Sequence, residues 1–455
     1  MLFSSPIFLA FFAVYYAIHR LLRAATARIW LIVLGGSFFY AWWKPAYLPL
    51  PLLLTTAGFL AAIWLTASGR RGPVALVIVL ALLLLPLLFF KYTDFAYSQL
   101  GGLFGWEGAL IGLPLPLGIS FITFTLIAYV VDVWQGKFPL ERRWSMLAGY
   151  VMFFPHAIAG PILRPHELLP QLDRVRRLKI LPGVLIFSVG LFKKLAVADQ
   201  IAAAIDPIFA NPMLYSAPQI WFAAYGFSIQ IYCDFSGYTD MAIGLAILLG
   251  VRLPTNFRQP YSAFSIVDFW RRWHITLSHW LRDYLYIPMG GNRRGPGRRV
   301  LAVVATMAIG GLWHGANWTF IIWGLLHGGA VAAVQGLRRY GFKLPTPLAW
   351  LFTFHFVVFA WIFFRAKDVQ TAWVMLERLF IGGIGDLSPF LQGLAFPLLL
   401  IIATLVVHRF DDHRRLRAAT RYLPVHYILP VVFMLWLLAF TLSAGNSAAF
   451  IYFDF

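Results

Sequence analysis

Three histidines stand where an imidazole can do chemistry. His314 lies in Gly310-Gly311-Leu312-Trp313-His314-Gly315-Ala316-Asn317-Trp318, among glycines midway through a long apolar stretch. A polar ring in such a run is costly unless it meets water or a partner, so the position marks a candidate site. Glycines there would loosen a helix and let backbone amides approach a substrate. Asn317, three residues on, shares a face with His314 if the turn is helical. The amide can then orient the imidazole, or both can address one oxyanion. The structural alternative is a buried histidine that caps a broken helix.

His327 follows thirteen residues later. On one straight helix that is about 20 Å of rise and about 220° of rotation, so a His314/His327 dyad requires a break between them. His327 is therefore read as a packing or second-site group. His274 sits in the run from Asp268 to Tyr284. Taken as one helix, this run places Trp270, Trp273, Leu277, Leu281 and Tyr284 on one side and Arg271, His274, Ser278 and Arg282 on another. That pattern is an interfacial or re-entrant amphipathic helix, with Asp268 able to pair with Arg271 or Arg272 and His279 with Asp283. Lipid phosphates account for most of its arginines, while His274 on the polar face can reach a central cavity.

Asp234 and Asp240 interrupt another apolar region. They can bind a proton or ion, or bridge to nearby arginines, and the structural bridge is favoured. The single cysteine, Cys233, excludes an intramolecular disulfide and a thiolate metal cage, and no metal is expected. The chain has no Walker A loop, no G-x-S-x-G elbow, no H-E-x-x-H and no His-x4-Asp, which disfavours nucleotide-driven and common hydrolytic machinery.

The elements that must position these groups follow from composition. Of 455 residues, 60% are hydrophobic and 12% charged, too few polar residues to build a water-facing surface. Apolar runs long enough to span or partly span a bilayer fall near 5–19, 29–43, 46–67, 73–90, 114–134, 180–198, 215–233, 238–251, 300–312, 316–335, 348–364, 391–407 and 427–444. The expected fold is an all-α polytopic membrane protein of about 11 transmembrane helices with added re-entrant or amphipathic helices. Residues 1–455 read as a single integral-membrane domain, without low-complexity tract, soluble appendage or internal repeat. The first run lacks a basic n-region before it, the chain continues directly into further spans, and it is expected to stay as the first helix.

Thirty-seven Lys+Arg against eighteen Asp+Glu give +19, gathered in short clusters between apolar runs such as Arg70 and Arg71, Arg174 to Lys179, and Arg409 to Arg421. Positive-inside loops and anionic headgroups account for them without nucleic acid. With those loops cytoplasmic, both termini face outward, and the parity stays open between 234 and 300.

Leu113-Pro114-Leu115-Pro116-Leu117-Gly118-Ile119-Ser120-Phe121, Tyr129-Val130-Val131-Asp132, Asp234-Phe235-Ser236-Gly237-Tyr238-Thr239-Asp240, Asn256-Phe257, Phe269-Trp270-Arg271-Arg272-Trp273-His274, Arg282-Asp283-Tyr284-Leu285-Tyr286-Ile287-Pro288 and Trp313-His314-Gly315 together resemble the membrane-bound O-acyltransferase family. The likeness runs from Phe38-Phe39-Tyr40-Ala41-Trp42-Trp43 to Phe450-Ile451-Tyr452-Phe453 and is to the bacterial branch that modifies extracellular polymers. Gly290-Gly291-Asn292-Arg293-Arg294 is more similar to the O-acetylating members than to the teichoic-acid D-alanylating one, whereas Ala57-Gly58-Phe59 departs from an expected polar Asn-Tyr pair.

The resemblance implies a ring of helices about a pinched centre with funnels to both faces, an essential histidine at His314 and a second at His274. It also implies the bacterial inner membrane, acetyl-CoA as cytoplasmic thioester donor, an extracytoplasmic polysaccharide such as alginate as acceptor, and a periplasmic SGNH-hydrolase-like partner. A hydroxyl attacking a thioester is helped by a base such as the His314 imidazole, either in direct transfer or through an acyl-enzyme. Asn317, or backbone amides near Gly315, are the candidates for oxyanion stabilisation. D-alanyl transfer to teichoic acid, a transporter and a scaffold subunit are the alternatives.

Overall fold

The computed structural model describes residues 1–67, 72–105, 110–174, 179–385, 388–443, 448 and 450–451. Arg70, Arg71, Arg176, Arg177, Tyr452 and Phe453 lie outside the described residues. Among the described residues there is no strand, so the all-α expectation holds.

The helices in chain order are α1 (Pro6–Leu21), α2 (Ala25–Ala41), α3 (Pro49–Thr66), α4 (Pro73–Phe104), α5 (Ile119–Trp134), α6 (Trp144–Met152), α7 (Phe154–Ala157), α8 (Pro165–Leu172), α9 (Ile180–Phe192), α10 (Asp199–Ala210) and α11 (Ala217–Leu248). They continue as α12 (Ile266–Trp270), α13 (Ile275–Leu281), α14 (Gly295–His314), α15 (Trp318–Arg339), α16 (Thr346–Arg365), α17 (Val369–Ile381), α18 (Ser388–Val407), α19 (His413–Tyr422) and α20 (Val425–Ser443). Among the described residues seven helical stretches, including α4, α15, α16 and α20, are long and apolar enough to cross a membrane, and α1, α2 and α5 are shorter apolar helices. Their outer faces carry exposed Val, Leu and Phe, as at Val74, Val77 and Phe433, which suits lipid and not water.

The chain divides into two compact units, Met1–Val184 with Met241–Pro254, and Leu185–Asp240 with Thr255–Phe455. In the first, α5 is apolar all round and every residue from Phe121 to Val133 is buried, which makes it the axis against which α3, α4 and α6 pack. Gly58 of α3 meets Leu126 of α5, where an added Cβ would come within 3.0 Å of Cδ2. The missing polar pair at 57–59 is thus replaced by close helix approach. At the edge of this unit Arg143 binds Glu141 at 3.1 Å and Asp173 at 2.8 Å. These guanidinium hydrogen bonds hold the Asp173 carboxyl below the usual carboxylate range.

The two expected runs around 215–233 and 238–251 prove to belong to one continuous helix, α11, of 32 residues. Ser236 and Gly237 do not break it: at Gly237 the helix passes close to the Gly190 carbonyl, and the carboxylates on either side are paired. Lys193 Nζ lies 2.7 Å from Asp240 and 2.6 Å from Asp411, and Lys194 Nζ lies 2.7 Å from Asp234 and 2.8 Å from Asp199. The bridging partners are therefore lysines and not the arginines anticipated from sequence. Both lysines sit in a π-helical segment, Lys193–Ala198, that joins α9 to α10. Tyr232 donates to Asp411 at 2.6 Å, and the Ile451 amide donates to Asp234 at 2.8 Å, so the network is hydrogen-bonded as well as paired. Cys233 is buried and free beside it.

Candidate functional site

The site is built on the hairpin of α14 and α15. The two helices touch backbone to backbone: a Cβ at Gly311 would overlap the Phe320 carbonyl, and one at Gly324 would overlap the Met307 carbonyl. The glycines expected to loosen the helix near His314 instead let two helices approach. α14 ends at His314, where Gly315 turns extended with φ −163° and ψ 150°. Asn317, at φ −150° and ψ 149°, caps α15; its Oδ1 accepts from the Thr319 amide at 3.1 Å and its Nδ2 donates to the Lys367 carbonyl at 2.8 Å. His314 and Asn317 thus do not share a helical face, and the Asn317 amide is engaged in holding the break.

His314 is enclosed by aromatic rings, with centroids 4.9 Å from Trp313, 5.3 Å from Trp323 and 5.2 Å from Phe364, all near edge-to-face. Trp323 also lies 4.7 Å from His327. The break supplied by Gly315 to Asn317 puts both histidines against one indole, though not as a hydrogen-bonded dyad. His327 Nδ1 accepts from Trp270 Nε1 at 3.2 Å, which fits the packing role expected for it.

The stretch 268–284 is not the single amphipathic helix its periodicity suggests. It divides into α12 and α13 at His274, whose φ of 41° and ψ of 54° are left-handed. A non-glycine residue held in this region needs surrounding structure to impose it, and such residues gather at functional sites. Asn256 imposes it here. Its backbone carbonyl accepts from the Ile275 amide at 2.9 Å, and its Oδ1 accepts from the Thr276 amide at 3.2 Å and the Thr276 hydroxyl at 2.9 Å. As a result His274 is fully buried while Arg271 stays exposed, so the two no longer form one polar face. Asp268 pairs with Arg272 at 3.0 Å, and Asp283 is bound by Arg282 at 2.6 Å.

Asn256 also decides the tautomer of His274. The Thr276 amide can only donate, so the atom facing it must be Oδ1, and that same oxygen lies 3.1 Å from His274 Nδ1. Nδ1 must therefore carry the proton, leaving Nε2 with its lone pair. Among the described residues Nε2 has no hydrogen-bond partner. His274 lies 4.7 Å from Phe235 and 6.5 Å from Trp313, the indole that also contacts His314. The structure thus links His274 and His314 through Trp313. The sequence does not assign the positioning role of Asn256; its signal is one of two amides, with Gln259, between Pro254 and Pro260. Nor does the sequence single out Lys193 and Lys194, inside the run 180–198, or Asp411, within the basic cluster Arg409 to Arg421.

Apolar helices with buried histidines gathered at a helix break define a multi-pass α-helical membrane protein with an enclosed polar centre. Residues 143–367, which contain His274, His314 and Asn317, match the model of the membrane-bound O-acyltransferase family. The chain is 40% identical over 400 residues to a probable alginate O-acetylase of Azotobacter vinelandii, covering 85% of this chain and 80% of that one. It is 38% identical over 420 residues to a peptidoglycan O-acetyltransferase of Helicobacter pylori, covering 83% and 80%. A teichoic acid D-alanyltransferase of Bacillus subtilis is 27% identical over 275 residues, covering 55% and 69%. The protein belongs to the membrane-bound O-acyltransferase family, in its bacterial polysaccharide O-acetylation branch, and is an O-acyltransferase.

Proposed function

We propose that the protein carries an acetyl or similar short acyl group from a cytoplasmic thioester, acetyl-CoA, toward an extracytoplasmic polysaccharide such as alginate, with His314 as general base. One observation carries this reading. Of the three histidines in the aromatic centre, His314 ends α14 at the Gly315 break and is 4% exposed, against 0% for His274 and His327. The imidazole takes the hydroxyl proton as oxygen attacks the thioester carbonyl, and returns it to the departing thiolate; one ester and one thiol result. The aromatic enclosure excludes water, which would otherwise hydrolyse the thioester. His274, through its free Nε2, is the second functional histidine. Asn317 shapes the break that presents His314, and backbone amides at Gly315 stand as the oxyanion donors.

The acetyl leaves on the outer face of the bacterial inner membrane to a periplasmic SGNH-hydrolase-like partner, which completes transfer to the polymer. The longer and closer likeness to O-acetylating relatives favours acetyl over D-alanyl. The test is His314→Ala, followed by mass spectrometry of the surface polysaccharide and immunodetection of the protein in membranes. Acetylation is expected to fall by at least about 10²-fold with unchanged membrane abundance. Retained acetylation at normal abundance would refute His314 as the base.

A further inference from the structure

Next to His327, whose ring lies 5.4 Å from that of Phe356, the second unit holds a cavity of about 820 Å³ between the C-terminal half of α15 and the N-terminal half of α16, bordered by the chain at Phe264 to Ile266. That volume lies within the range of about 300–1,000 Å³ typical of ligand sites. Its lining is largely apolar, with Ile266, Ala330, Val334 and Phe356 and the more exposed Phe264 and Phe352. Small side chains on α15 leave the void that larger ones would fill. Its mouth carries Arg338 and Lys343, and among the described residues no Asp or Glu lines it. Both α15 and α16 are long and apolar enough to cross a bilayer, and the mouth lies where one ends and the other begins, at headgroup depth. Tyr340 and Phe342, 88% and 52% exposed in the connection, are the aromatic residues an interface accepts and water does not.

We propose that this groove binds one anionic phospholipid of the surrounding bilayer, with an acyl chain in the apolar depth and the phosphate at Arg338 and Lys343. Arg338 is already anchored, its Nη2 donating to Ser265 Oγ at 3.1 Å, and that is the single hydrogen bond of its side chain among the described residues. The rest of the guanidinium fork meets no acceptor among the described residues and suits phosphate oxygens. The dipole at the end of α15 accounts for a cation on that helix but not for Lys343, which lies beyond it, nor for the void beneath.

The test uses the full-length protein in a neutral detergent, given equimolar phosphatidylglycerol and phosphatidylcholine and analysed by native mass spectrometry. One phosphatidylglycerol is expected to remain per chain, in preference to phosphatidylcholine. In R338Q/K343Q its retention should weaken about twenty-five-fold, a factor of about five for each cation. Ala330→Phe, which fills the groove and keeps both cations, should lose the lipid as well. Should Ala330→Phe fail to fold, the double glutamine variant, altered only at exposed side chains, still decides the question. Equal retention of the two lipids, or undiminished retention in R338Q/K343Q, would overturn the proposal. Displacement of the lipid by added acetyl-CoA would also overturn it, by assigning the groove to the acyl donor.

Discussion

A single amide decides what His274 can offer. Asn256 Oδ1 accepts from His274 Nδ1 and from both donors of Thr276, which holds the ring in one tautomer and the backbone in a left-handed turn. Asn256→Ala strands three donors and frees the ring to take either tautomer, and acyl transfer is expected to fall about 10–100-fold, as when a ligand-orienting partner is lost. Asn256→Asp keeps an acceptor oxygen in place and should recover much of the rate. Initial rates of acetyl transfer in membrane vesicles from the two variants check this; equal rates in both would mean that the residue does not act through the ring. Sequence alone marks His274 as polar and within reach of a cavity. It does not reveal a buried ring, because periodicity assumes an unbroken helix and the left-handed turn is imposed by a segment eighteen residues earlier.

At the scale of elements, the α14–α15 hairpin is the rigid frame for His314. Its tolerances are set by Gly311 and Gly324, where the carbonyl of the facing helix occupies the space a Cβ would take. Gly311→Ala must push the helices apart, three residues before His314, and overpacking of this kind costs about 1–3 kcal/mol. Gly329→Ala on the same hairpin meets nothing within 4 Å and should be neutral or gain up to about 1 kcal/mol from helix propensity. Thermal unfolding of both variants in detergent, followed by tryptophan fluorescence, tests the pair. Equal midpoints would show that the glycines do not set the helix spacing. The helices themselves were largely legible as apolar runs, but the break at Gly315–Asn317 was ambiguous, since glycine and asparagine suit both a loosened helix and a helix cap.

At the scale of the molecule, stability in lipid rests on exposed apolar faces outside and a few paired charges inside. Lys193 and Asp411 are separated by 218 residues, and Lys193 also holds Asp240. Removing one member of a buried pair leaves its partner charged and unpaired, at about 3–5 kcal/mol. Lys193→Ala should therefore lower the unfolding midpoint strongly in detergent, and the double change Lys193→Ala with Asp240→Asn should be less harmful than the two single effects summed. Additive losses would show that the pair is not coupled. What the sequence determined by itself is membrane insertion, the all-α class, the acyltransferase family and the prominence of His314. Hydropathy and the cost of an imidazole in an apolar run are local properties, and motifs are read without coordinates. Only the tertiary structure decided which lysines neutralise Asp234 and Asp240, that Asn317 caps a helix, and that Asn256 sets the tautomer of His274. The lysine pairs, the Asn317 bond to the Lys367 carbonyl and the Asn256 bond to His274 bring together groups far apart in the chain within about 3 Å, and no local pattern encodes that distance.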